Sequence, residues 1–218
     1  MWLVIGNKNY SSWSLRAWLA LAVPGIDFEE IRITLDTPEF EQRIGQYSPT
    51  RRVPVLVDGD IKVWDSLAIA EYAADKFPDA KLWPSDKAAR AHARSVSAEM
   101  HSGFEFLRTN LPMNARAVNR RVDLDDATRA DIARIAEIWQ DCRRRYSANG
   151  PWLFGEFSIA DAMYAPVVFR FNTYGIEIGT AGTEYMGHVL DEPKMSSWLD
   201  AAQRETEVIE SDEVGRKG

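Results

Sequence analysis

The chain has 218 residues, 45% of them hydrophobic, with a formal net charge of −7 and a single cysteine. That apolar share excludes wholesale disorder, the acidic balance argues against a nucleic-acid footprint, which needs a basic face, and one cysteine forbids an internal disulfide or a two-cysteine redox mechanism. No uninterrupted apolar run approaches the roughly 20 residues that span a bilayer, and the first residues lack a basic stretch followed by an apolar signal core, so a soluble, cytoplasmic protein of one or two domains is expected.

Residues 2–6 read as a short buried strand and residues 15–22 as an apolar helix. Between them, Asn7-Lys8-Asn9-Tyr10-Ser11-Ser12-Trp13-Ser14 is a polar loop that feeds a helix N-terminus, where aligned peptide dipoles favour an anion. A hydroxyl placed there can stabilise a thiolate, and each unit by which a thiol pKa falls is worth about 1.4 kcal/mol. Residues 28–35 alternate like a half-exposed strand, and residues 37–46 open as a helix with Thr37 as cap and Pro38 in the first position. Ser48-Pro49 closes that helix.

Pro54 then opens a strand, Asp58-Gly59 supplies a tight hairpin turn, and a second strand runs into Asp65-Ser66 at the head of a helix over 66–77. A cis bond at Val53-Pro54 would turn the Val53 amide and carbonyl outward to pair with an extended ligand. Asp65 and Ser66 fall where a helix leaves its first amides unpaired, a ready carboxylate site. The plainer readings are a strand start for Pro54 and helix caps for Asp65, Ser66 or any serine of the first loop. For Ser12 and Ser14 the cap is preferred; for Ser11, function. The opening strand-helix-strand unit should pair parallel and the hairpin antiparallel, giving an α/β fold with a mixed sheet.

Residues 79–85, with the adjacent Pro78, form a turn-rich linker, and beyond it the pattern is helical: 86–111, 125–148, 158–173 and 194–207, with a stop at Asn149-Gly150-Pro151. The last eight residues are polar and expected to be mobile. Ser158-Ile159-Ala160-Asp161 has the form of a capping box, which makes Asp161 a folding residue. Cys142 reads as a small buried hydrophobe. His92 and His101, nine residues apart, fall on opposite faces of one helix and with His188 make no metal site; all three read as structural or solvent-facing.

Taken together, Val53-Pro54 and Asp65-Ser66 resemble the glutathione site of the glutathione transferase family, and Ser-Ser-x-Ser-x-Arg at Ser11 to Arg16 resembles the loop of its zeta-type and related bacterial members, where the pattern is Ser-Ser-Cys-Ser-x-Arg. The resemblance implies an α/β thioredoxin-like domain with a four-stranded mixed sheet over 1–78 and an all-helical substrate domain over 86–218, paired as a homodimer. It implies glutathione as co-substrate, its cysteinyl backbone paired with Val53 and its γ-glutamyl end held at Asp65 and Ser66, with Arg52 and Pro54 also in the binding site. No metal, nucleic acid or membrane is implied. The thiol-activating serine falls on Ser11, with Ser12 its close competitor, and the family's cysteine is replaced by Trp13.

A second substrate is expected between the domains, near Trp13, Phe104, Arg108, Arg170 and Tyr174. In the maleylacetoacetate isomerase branch an arginine seven positions after the proline of the buried helix reads a substrate carboxylate. Counted from Pro166 that position is Thr173, and Arg170 lies one turn earlier. The expected activity is conjugation of glutathione to small electrophiles by a serine-stabilised thiolate. The alternatives are a glutathione-dependent cis-trans isomerase and a non-catalytic binding or scaffold protein of the same fold.

Overall fold

The computed structural model describes residues 1–215. Strands β1 (Trp2–Ile5), β2 (Glu29–Arg32), β3 (Val55–Asp58) and β4 (Ile61–Trp64) form one sheet in the order β2-β1-β3-β4. β1 and β2 pair parallel, with Trp2 opposite Glu29, while β1 pairs antiparallel with β3 and β3 with β4. The mixed sheet is the expected one. Alternation along the strands divides the core: Leu3, Ile5 and Leu56 face helices α1 (Ser12–Ala22) and α3 (Ser66–Lys76), whereas Val4, Ile33 and Val55 pack on Phe40 and Ile44 of α2 (Pro38–Tyr47). Thr37 caps α2 by accepting the Phe40 amide at 3.1 Å. Gly59, at φ +59°, supplies the left-handed turn between β3 and β4.

The remainder is helical: α4 (Lys87–Ser102), α5 (Glu105–Asn110), α6 (Asp126–Tyr146), α7 (Ile159–Tyr174), α8 (Gly179–Asp191) and α9 (Pro193–Gln203). Every residue of α7 except Asn172 is buried, and α7 packs on α1, α4 and α8, so the helical half is seated on the sheet's own helix. Asp161 anchors α7. Its carboxylate accepts the Leu153 amide at 2.9 Å, the Ser158 amide at 2.9 Å, the Ser158 hydroxyl at 3.0 Å and the Tyr185 hydroxyl at 3.1 Å. Burial pushes this carboxyl up to about 6 while the four donors pull it down. Cys142 is fully buried, and desolvation raises its thiol to about 12, as suits a packing residue.

Three sequence expectations change. The single helix over 86–111 is two, because Gly103 is extended and Phe104 takes a left-handed φ of +58°. A non-glycine residue there costs on the order of 1 kcal/mol, which burial of the Phe104 ring offsets. Helix α8 has no counterpart in the sequence reading: Gly179, Gly182 and Gly187 lower its intrinsic propensity, and it is held by Tyr185 and Val189 in the core. Finally, the tail does not hang free as far as Gly215. Glu213 accepts from Tyr10 at 2.7 Å and from Asn114 at 2.9 Å and pairs with Arg120. Residues 216–218, the rest of the expected mobile tail, lie outside the described residues. No described helix is long and apolar enough to cross a membrane.

Candidate active site

A cleft opens where the N-termini of α1 and α3 face α4 and α5. At the start of α1 the three serines divide their work. Ser11 is the N-cap: its Oγ accepts the Ser14 amide at 3.4 Å and lies 2.7 Å from Ser14 Oγ, which in turn accepts the Gly6 amide at 3.1 Å. The cap therefore falls on Ser11, and the expectation that Ser12 or Ser14 would serve as cap is corrected. Ser12 is the first helical residue. Its hydroxyl makes no hydrogen bond to another described residue and borders the cleft. Amides of the first turn point the positive end of α1 at the same place.

The loop before Ser12 is bolted to the helical half. Glu205 takes the Lys8 and Asn9 amides at 2.7 and 3.0 Å, one on each carboxylate oxygen. Asn9 exchanges hydrogen bonds with Asn114, Ala115 and Arg116, and Arg116 donates to the Tyr10 hydroxyl at 3.0 Å. These contacts hold Ser12 in place without using its side chain.

The groove along the sheet edge has a volume of about 510 Å³ and is bordered by Arg52, Val53, Pro54, Asp65 and Ser66, the residues expected to hold glutathione, together with Trp13, Thr50 and Trp64. The Val53-Pro54 bond is cis. Among the described residues, neither the Val53 amide nor its carbonyl has a hydrogen-bond partner. Asp65 does cap α3, its Oδ1 accepting the Leu67 and Ala68 amides at 2.9 and 3.2 Å, while Oδ2 lies 3.1 Å from His101 Nε2 on α4. Ser66 is 1% exposed, yet its hydroxyl has no partner among the described residues and its residue borders the groove. A buried hydroxyl left unpaired is costly, and here it belongs to the residue whose own amide is the one in the first turn of α3 that Asp65 leaves open, where a carboxylate would satisfy both.

His101 is the residue that sequence reasoning placed elsewhere. Its ring meets Trp13 edge-on at 5.3 Å and reaches Asp65, with burial lowering its pKa. No local signal marks this contact, because it joins α3 to α4 through tertiary packing alone.

A second cavity of about 390 Å³ lies on the helical side, bordered by Ser12, Trp13, Tyr10, Arg108, Arg170 and Asp212 among others. Arg170 is 4% exposed, and its Nη1 donates to the carbonyls of Leu111 and Arg108. Beneath Trp13 lies Arg16, fully buried, whose guanidinium is brought down to about 9 by desolvation and by the neighbouring Arg170 and Arg108. Phe104 and Tyr174 border neither cavity of the cleft. The ring of Phe104 packs in the core, and the Tyr174 hydroxyl is committed to the Pro112 carbonyl at 3.1 Å. Thr173 is buried and donates to the Asn114 carbonyl, so it reads no substrate.

A mixed four-stranded sheet, a cis-proline beside open backbone groups, a carboxylate-seeking helix end and an all-helical partner define a glutathione-handling fold. Residues 10–76 match the family model for the glutathione S-transferase N-terminal domain and residues 120–201 that for its C-terminal domain. The maleylacetoacetate isomerase of Mus musculus is 36% identical over 174 residues, 77% of each chain. Glutathione S-transferase Z2 of Arabidopsis thaliana is 28% identical over 182 residues, 78% of this chain and 79% of that one. A probable maleylacetoacetate isomerase of Caenorhabditis elegans is 38% identical over 98 residues, 44% of this chain, and this chain spans 45% of that relative's length. Among solved structures, a maleyl pyruvate isomerase described as a bacterial zeta-class glutathione S-transferase superposes with TM-score 0.72 at 19% identity, over 95% of this chain and 100% of that one. A glutathione transferase homolog from Burkholderia GL BGR1 with bound glutathione gives 0.70 at 24%, over 94% and 98%. The chain belongs to the glutathione S-transferase family, and it is a glutathione-dependent enzyme.

Proposed function

We propose that this enzyme conjugates glutathione to small electrophiles. The γ-glutamyl end docks at Asp65 and Ser66, the cysteinyl backbone pairs with Val53, and the sulfur lies at the N-terminus of α1 beside Ser12. The observation that carries this reading is the free Ser12 hydroxyl at the positive end of a helix, on a residue that borders both the second cavity and the hollow it shares with Arg52 and Val53 of the groove. There the thiol gives its proton to solvent, and the thiolate attacks an electrophilic carbon. A C–S bond forms, and the leaving group departs with its electron pair. Arg52 and Pro54 complete the groove wall. Residues 1–78 and 86–218 act as the glutathione and electrophile domains, joined by 79–85, and the active form is a cytoplasmic homodimer, as membership of the family supports.

Cis-trans isomerisation is the second reading, favoured by the maleylacetoacetate isomerase relatives and by Arg108 at the second cavity. Against it, Trp13 and Thr173 stand where that branch has its cysteine and arginine, and Arg170 spends its Nη1 on two carbonyls. Disulfide exchange has no protein thiolate to use, since Cys142 is sealed in α6.

Ser66→Ala tests glutathione docking without disturbing the fold, because the hydroxyl it removes has no protein partner. Calorimetric titration should show glutathione affinity weakened by about 1.5 to 3 kcal/mol, the range for a hydrogen bond to a charged group, with no loss of thermal stability. Unchanged affinity would remove Ser66 from the site.

A further inference from the structure

Among the described residues, Trp13 is the one that borders both the glutathione groove and the second cavity, and it also borders a third hollow shared with Ser11, Ser12 and Val53. It is held there. The Arg16 guanidinium sits 4.4 Å from the ring centroid and that of Arg108 5.5 Å, while His101 abuts the ring edge-on at 5.3 Å. Arg16 Nε and Nη1 have no hydrogen-bond partner among the described residues, so the electron-rich indole is a principal companion of that buried cation. A ring fixed in this way is a wall, and swinging it aside would uncover Arg16.

Resting on the transferase reading above, we propose that Trp13 is the specificity-determining residue for the electrophile. The indole partitions the cleft, confines the electrophile to the second cavity of about 390 Å³, near the small end of ligand sites, and so admits planar single-ring electrophiles while rejecting wider ones. On the helical side of the cavity, Arg170, Pro112 and Met113 are buried, with Arg170 tied to the Leu111 carbonyl, and this wall resists widening. A small residue at this position would join groove and cavity into one continuous space.

Binding of conjugation products reads this out without turnover. S-benzylglutathione and S-naphthylmethylglutathione share the glutathione moiety and differ by one fused ring. By calorimetry the native protein should bind the benzyl product about tenfold or more tightly than the naphthylmethyl one, in the range that pocket shape alone can discriminate. Trp13→Ala should bring the two affinities together, and Trp13→Leu, which keeps an apolar cover over Arg16, should do the same if the alanine variant fails to fold. Trp13→Phe, which keeps a ring, should preserve the gap. Equal binding of both products by the native protein, or a gap that persists in the alanine or leucine variant, would overturn the inference. Glutathione alone is titrated in parallel: its failure to bind the native protein defeats the transferase reading itself, whereas normal glutathione binding with an unmoved ratio defeats only the role given to Trp13.

Discussion

Ser12→Ala is expected to lower the rate of glutathione conjugation near neutral pH on the order of a hundredfold, the cost of removing one donor aimed at a developing or bound anion. The effect follows from placement. Ser12 Oγ has no other described partner, whereas Ser11 Oγ is already engaged with Ser14 in capping α1. Because the lost hydrogen bond stabilises the ionised sulfur, the variant's thiol pKa rises, and activity should recover in part as the pH climbs through the ordinary thiol value of roughly 8.5. Ser11→Ala should behave differently, costing about 1 kcal/mol of stability as a lost cap with a smaller effect on rate. Rate profiles against pH for both variants decide the matter. A hundredfold loss in Ser11→Ala with near-native activity in Ser12→Ala would move the thiol to Ser11.

The largest effect on stability is expected at Asp161. Replacing it with alanine strands four donors, the amides of Leu153 and Ser158 and the hydroxyls of Ser158 and Tyr185, at about 1 to 3 kcal/mol for each one left buried and unpaired. Release of the buried carboxylate returns part of this. A net loss of roughly 4 kcal/mol is expected, a large share of the 5 to 15 that a protein commonly has. Urea unfolding followed by circular dichroism measures it, and a loss below about 1 kcal/mol would mean that α7 is anchored by packing alone.

Much of the fold was legible because its signals are local. Thr37-Pro38 opened α2, Asp58-Gly59 turned the hairpin, and Ser158 with Asp161 opened α7, each within four residues of chain. What escaped was decided at long range. The break at Phe104 depends on a ring that reaches the core, α8 forms in spite of its glycines because Tyr185 finds Asp161, and the tail is tied down by Tyr10, Asn114 and Arg120. The same division runs through the site. Val53, Asp65 and Ser66 could be read from the hairpin and helix start, while His101 enters only when α4 packs across Asp65. Which of two adjacent serines keeps its hydroxyl free was set by the Ser11, Ser14 and Gly6 hydrogen-bond chain rather than by composition.

The most direct test of the account is the pKa of glutathione's thiol when bound to the native protein, followed by the ultraviolet absorbance of the thiolate against pH. A cleft that places the sulfur at the positive end of α1 beside the Ser12 hydroxyl should hold that pKa at least one unit below the roughly 8.5 of a free thiol. Glutathione that binds with an unshifted thiol, or does not bind at all, would contradict it.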